Sequence, residues 1–92
     1  MLPVGASTLP TPTHRVRMYP NPSKGQVWLE TPPGNAAVVE VQLWDTKGRL
    51  LWQQSGNRER LALPQTALTR GHYWVVVYFE TGSIGLPLII VD

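Results

Sequence analysis

Turn-forming residues divide this chain into pieces too short for ordinary helices. From Arg15 onward, clusters of Pro, Gly, Asn, Asp and Ser recur about every 8–12 residues, a spacing typical of all-β domains. The clusters are Tyr19-Pro20-Asn21-Pro22 with Ser23-Lys24-Gly25, Pro32-Pro33-Gly34-Asn35, Asp45-Thr46-Lys47-Gly48, Gly56-Asn57, the loop from Pro64 to Gly71 and Thr81-Gly82-Ser83. No segment between them carries an apolar repeat of helical period, whereas several alternate with period two.

The alternation predicts strands at 15–18, 26–31, 37–44, 49–54, 59–63, 72–80 and 84–91. In the second, Val27 and Leu29 face one way, Trp28 and Glu30 the other. In the third, Val39, Val41 and Leu43 oppose Glu40 and Gln42. The sixth sets Tyr73, Val75, Val77 and Phe79 on one face, with Trp74, Val76 and Tyr78 making the other face apolar too. Such a strand is central and covered, or it presents a patch. Pro87 places the last strand at an edge or a bulge, because proline cannot donate to a ladder. Between the fifth and sixth strands, residues 64–70 read as a loop with a single helical turn, Leu68 plugging the core edge. The expected fold is an all-β, immunoglobulin-like antiparallel β-sandwich of about seven strands.

Residues 1–13 differ in kind from the rest of the chain. Pro3, Pro10 and Pro12, with Ser7, Thr8, Thr11 and Thr13, give extended chain with little to bury. The division is therefore a Pro/Ser/Thr-rich linker at 1–13 and a domain at 14–92. The first residues have neither a basic start nor an apolar run, so they are not a signal peptide. Export, if it occurs, is expected to depend on a longer parent chain.

A domain this small must fill its core well. The 42% apolar content suffices, helped by four tryptophans and three tyrosines. The net charge of +2 comes from scattered Lys and Arg rather than a basic stripe, which argues against a nucleic-acid partner. Arg58-Glu59-Arg60 reads as the solvated start of a strand. No apolar stretch reaches the ~20 residues of a membrane span, so no transmembrane segment is expected.

Little in the sequence carries reaction chemistry. There is no cysteine, hence no thiolate nucleophile and no thiolate metal ligand. His14 lies at the linker boundary, and His72 starts a strand with its tip in water. The six acids, Glu30, Glu40, Asp45, Glu59, Glu80 and Asp92, are dispersed, with no local glycosidase pair. Asp45-Thr46-Lys47-Gly48 offers one carboxylate beside a lysine, which suits a hairpin turn better than calcium. The expectation is no enzyme, no cofactor and no metal site.

The tryptophans leave an alternative open. Trp28, Trp44 and Trp74 fall out of phase with the core-facing residues of their strands, and Trp52 is ambiguous. Exposed, they would form a platform for sugar rings, as in a carbohydrate-binding module; a plain spacer domain is a further possibility. The preferred reading has them filling a core edge or covering the second face of a sheet, since a one-residue slip reverses a strand's faces.

Tyr19-Pro20-Asn21-Pro22 followed by Ser23-Lys24-Gly25 resembles the opening motif of the C-terminal sorting domains of the type IX (Por) secretion system. Val41-Gln42-Leu43-Trp44 through Gly48-Arg49-Leu50-Leu51 is similar to that family's strand, glycine hairpin and return strand. Leu61-Ala62-Leu63-Pro64 through Leu68 resembles its next strand and loop, Gly71-His72-Tyr73 its Gly-x-Tyr strand, and Leu88-Ile89-Ile90-Val91 its apolar terminus. The family often carries a lysine before that terminus, where Gly85-Leu86-Pro87 stands in this chain.

The resemblance implies a non-catalytic secretion and anchoring signal for an N-terminal cargo. It implies transit through the periplasm and then location at the cell surface or outside the cell. The implied partners are the type IX translocon, its shuttle proteins and a sortase-like cell-surface protease that cuts in the linker. The residues it singles out are Tyr19, Pro20, Asn21, Pro22, Gly25, Gly48, Gly71, Tyr73, Leu88, Ile89, Ile90 and Val91. The prolines preset a corner, and Gly48 and Gly71 permit turns. Tyr73 supplies a core ring whose polar tip can fasten a corner. The final strand is expected to offer its edge for strand addition.

Overall fold

The computed structural model describes residues 16–31, 37–56 and 59–91. These form β1 (Arg17–Tyr19), β2 (Trp28–Glu30), β3 (Val38–Asp45), β4 (Leu50–Ser55), β5 (Arg60–Ala62), a 3-10 turn (Gln65–Ala67), β6 (Gly71–Phe79) and β7 (Gly82–Ile90). Residues 1–13, His14, Arg15, residues 32–36 with the expected turn at 32–35, Asn57, Arg58 and Asp92 lie outside the described residues.

Two antiparallel sheets result, β1-β2-β5 and β4-β3-β6-β7. This is the expected seven-strand sandwich, with β4 beside β3 rather than beside β5 as in constant-type immunoglobulin domains. Several strands begin or end one or two residues from their sequence-based bounds: β3 runs through Asp45, β4 through Ser55, and β7 already starts at Gly82.

Apart from Val39, the inward residues that alternation selects in β2, β3 and β6 are buried, and Leu88 and Ile90 of β7 join them. Leu29 comes from the smaller sheet and Val27 from the residue just before it, and Val41, Leu43, Val75, Val77, Phe79, Leu88 and Ile90 come from the larger; all are buried. Fully burying such a side chain contributes about 1.5–3 kcal/mol. Leu68 is buried directly after the 3-10 turn, closing the core edge as expected.

Val39 departs from the pattern. It is 47% exposed while Val38 is buried. Val38 pairs with Phe79 and Glu40 with Tyr78, so Val39 is the extra residue of a bulge and the inward phase shifts by one. A second irregularity, between Leu43 and Trp44, pairs Trp44 with Leu50 and leaves Leu51 as the extra residue.

Asp45 organises the β3–β4 turn. Its Oδ1 accepts the backbone N–H groups of Lys47 and Arg49, both at 2.9 Å, and its Oδ2 accepts Arg49 Nε at 2.7 Å. Gly48 closes the turn with φ of 82°, a left-handed conformation that a side chain would strain. At the start of β6, the Tyr73 hydroxyl donates to Thr69 O at 2.6 Å and ties the preceding loop to the core.

Candidate functional site

Among the described strands, β7 forms one edge of the larger sheet. A β-edge carries main-chain donors and acceptors with no ladder partner, so what lies against it determines what it can do. Along β7 the segment that lies there is the proline corner.

Ser23 continues the sheet by one residue. Its N–H donates to Ile89 O at 2.9 Å, and its C=O accepts the Val91 N–H at 2.7 Å, making a parallel bridge to Ile90. The side chain of Asn21 extends this line. Its Nδ2 donates to Pro87 O at 2.8 Å, and its Oδ1 accepts the Ile89 N–H at 3.1 Å. A primary amide thus takes the place of a strand's peptide group. Ser23 is itself held by a local turn, its hydroxyl donating to Gln26 O at 2.7 Å and accepting the Gly25 N–H at 3.0 Å. Gly25 adopts φ of 135° there. The Tyr19–Pro20 and Asn21–Pro22 peptide bonds are both cis.

Pro87 fits this edge without loss. Ile89 turns its N–H and C=O toward the corner, so by period two Pro87 faces the same way, and its missing donor removes no bond to β6.

The corner also joins the outer face of the smaller sheet. The Tyr19 hydroxyl donates to Glu30 Oε2 at 2.8 Å, and Arg17 bonds the other carboxylate oxygen. The Arg17 bond, followed by that of Tyr19, holds the Glu30 carboxyl below its ordinary range. The same contact raises the Arg17 guanidinium. Beside them, Arg60 sits 4.2 Å above the Trp28 ring centroid. Asp45, in the larger sheet, is also held low, chiefly by the Arg49 backbone N–H.

The structure brings Asn21, Leu88, Ile89, Ile90 and Val91 into one junction, with Gly71 opposite Ile90 and Tyr73 opposite Leu88 in the ladder. Gly48 stands apart and serves the β3–β4 turn. Burial divides the group. Leu88, Ile90 and Tyr73 are buried, whereas Pro20, Asn21, Pro22, Ile89 and Val91 reach solvent. A shallow groove beside the corner is lined by Pro20, Pro22, Lys24, Gln26 and Gln65.

Sequence reasoning missed Ser23 and Pro87 as parts of the junction. Ser23 had a legible signal, a hydroxyl two residues before a turn glycine. Its contact with Ile89 spans the length of the domain and had none.

Of the four tryptophans, Trp74 alone is exposed, at 47%. Trp28 is covered by Arg60, Trp44 is half-buried with its Nε1 donating to Gln42 Oε1 at 2.9 Å, and Trp52 packs against the core. The preferred expectation of rings filling a core edge or covering a second face thus describes three of them. Among the described residues no group of three His, Cys, Asp or Glu side chains is placed to hold a metal, and no helix is long and apolar enough to cross a membrane. What this junction offers is main-chain pairing.

Comparison with known proteins gives two likenesses. A family model described as "Secretion system C-terminal sorting domain" matches residues 17–91. Among solved structures, the chain is similar to PorZ, described as an essential bacterial surface component of the type-IX secretion system of Porphyromonas gingivalis. The identity is 24% with a TM-score of 0.66, covering 84% of this chain and 11% of that one. That likeness bears on the β-sandwich fold. No curated protein matches the chain.

Proposed function

Because this chain belongs to the family of secretion system C-terminal sorting domains, we propose that it directs an N-terminal cargo across the outer membrane through the type IX secretion system. The observation that carries the proposal is the extent of the family match, which includes both the proline corner and the terminal strand. The two regions most specific to the resemblance are also hydrogen-bonded to each other.

In this reading the signal is a folded surface rather than a linear tag. Leu88, Ile90, Tyr73, Gly48 and Gly71 act by holding its shape, and Pro20, Asn21, Pro22, Ile89 and Val91 are within reach of the machinery. The domain performs no reaction itself. Translocon and shuttle proteins engage it during passage from the periplasm, a sortase-like protease cuts within residues 1–13, and the cargo remains on the cell surface or is released. A sugar-stacking module is less well supported, because it would rest on the single exposed ring of Trp74.

The test places the 92-residue chain behind a signal-peptide-bearing reporter in a type IX-competent host. The expected result is reporter at the surface or in the medium. Intact, folded fusion retained in the periplasm would defeat the proposal.

A further inference from the structure

Among the described residues, the edge of β7 is closed over only part of its length. Asn21 and Ser23 occupy the main-chain groups of Pro87, Ile89 and Val91. By the two-residue period that turns Ile89 and Pro87 outward, Ser83 and Gly85 also direct their N–H and C=O groups away from β6. Both residues are exposed, and no hydrogen bond from a described residue reaches those four groups. The corner ends where this open stretch begins.

The chemistry of the open stretch is that of a docking edge. Edge strands are commonly guarded by a charge, a proline or a bulge. From Gly82 to Ile90 there is no charged side chain, and the one guard, Pro87, lies under the corner. Gly85 leaves the strand bare on its outer face, where a Cβ would meet the six-membered ring of Trp74 at 3.8 Å. The exposed Trp74 ring thus flanks the open groups and offers an apolar contact to a side chain arriving beside them.

Resting on the sorting reading, we infer that Ser83–Leu86 is the recognition edge, and that its occupant is an extended, uncharged strand of the secretion receptor. The incoming strand pairs with the four groups of Ser83 and Gly85 that bond no described residue, stops at the corner, and sets an apolar side chain against Trp74. An uncharged occupant fits because β7 has no charge to pair with. Asn21 and Ser23 then limit the register by denying the receptor the rest of the strand. The recognised stretch lies upstream of Leu88–Val91, two of whose side chains are buried.

The experiment compares Gly85→Ala with Gly85→Pro in the reporter fusion. Alanine keeps the N–H, and its Cβ makes only ordinary contact with Trp74; proline removes the N–H from a side of the strand that bonds no described residue. Folding of each variant is followed by thermal melting of the isolated chain. Export is expected to be kept by Gly85→Ala and to fall about tenfold in a folded Gly85→Pro variant, the scale of one lost hydrogen bond plus a steric block. Ser83→Pro is the second variant should Gly85→Pro fail to fold. Amide exchange in the unsubstituted chain adds a check independent of substitution: Gly85 should exchange much faster than Ile89, and equal protection overturns the inference. Export of both folded proline variants overturns it while leaving the sorting reading intact, whereas failure of the unsubstituted fusion overturns the sorting reading itself. A dimer of the isolated chain that Gly85→Pro abolishes would assign the edge to a second copy and overturn the receptor assignment.

Discussion

On the outer face of the smaller sheet Arg17 and Tyr19 both bond Glu30 and Arg60 covers Trp28, while the larger sheet turns Trp74, Tyr78, Leu50 and Ile89 toward solvent. The contrast follows from strand length. Strands β1, β2 and β5 have three residues each, so their ladders supply few main-chain bonds and cross-strand side-chain pairs supplement them. Strands β3, β6 and β7 have eight or nine residues and need no such support. The larger sheet can therefore leave the outer face of β6 and β7 largely apolar and, among the described residues, part of one edge open, features that suit a partner more than they suit stability.

The largest effect that tests this contrast comes from comparing the two faces of the larger sheet. Leu88 points inward with no exposed surface, and Leu88→Ala should cost about 2–5 kcal/mol in urea unfolding. Trp74 is a larger side chain, yet Trp74→Ala should cost about 1 kcal/mol or less, because its ring lies largely outside the core. Equal losses would mean that the outer face stabilises the sheet as much as the inner one.

An intermediate effect is expected where the corner meets the edge. Asn21→Ala removes two neutral hydrogen bonds at an exposed site, so a loss of about 1–2 kcal/mol is expected. Hydrogen exchange sharpens the assignment. The Ile89 amide should lose protection, while that of Gly85, already open, stays as it was. Unchanged protection at Ile89 would show that Asn21 does not cap the strand.

The sandwich itself was legible, because turn residues and period-two alternation are local signals. Val27 and Leu29, the inward face of β6, and Leu68 all lie where the pattern puts them. Val39 was misassigned because a bulge changes the phase through pairing with β6, and no residue in β3 announces it. The candidate site was legible as two separate motifs. Their union was not, since the contact of Asn21 with Pro87 and Ile89 joins residues far apart in sequence through a side chain imitating backbone. That capping is also why the expectation of an open terminal edge needed revision: the strand is covered at its C-terminal end, and nearer Gly82 no described residue bonds its edge.

The smallest effect separates the two sheets by how each holds its carboxylate. Glu30 and Asp45 are both shifted downward, so each contributes stability that is present above its unfolded pKa and lost as the pH falls through its folded one. Acid should therefore weaken both sheets below the ordinary carboxylate range. The causes differ, however. Glu30 is held low first by the bond from the exposed Arg17 side chain, an ion pair that salt screens. Asp45 is held low first by a backbone N–H, with a second from Lys47, and these dipoles are fixed by the turn itself. Side-chain carboxyl titration by NMR at low salt and at about 1 M salt should return Glu30 toward its usual value and leave Asp45 depressed, because screening at that strength acts over a few ångströms in water. Parallel shifts of the two groups would mean that the Arg49 guanidinium, not the turn backbone, holds Asp45, and that both sheets depend on surface ion pairs.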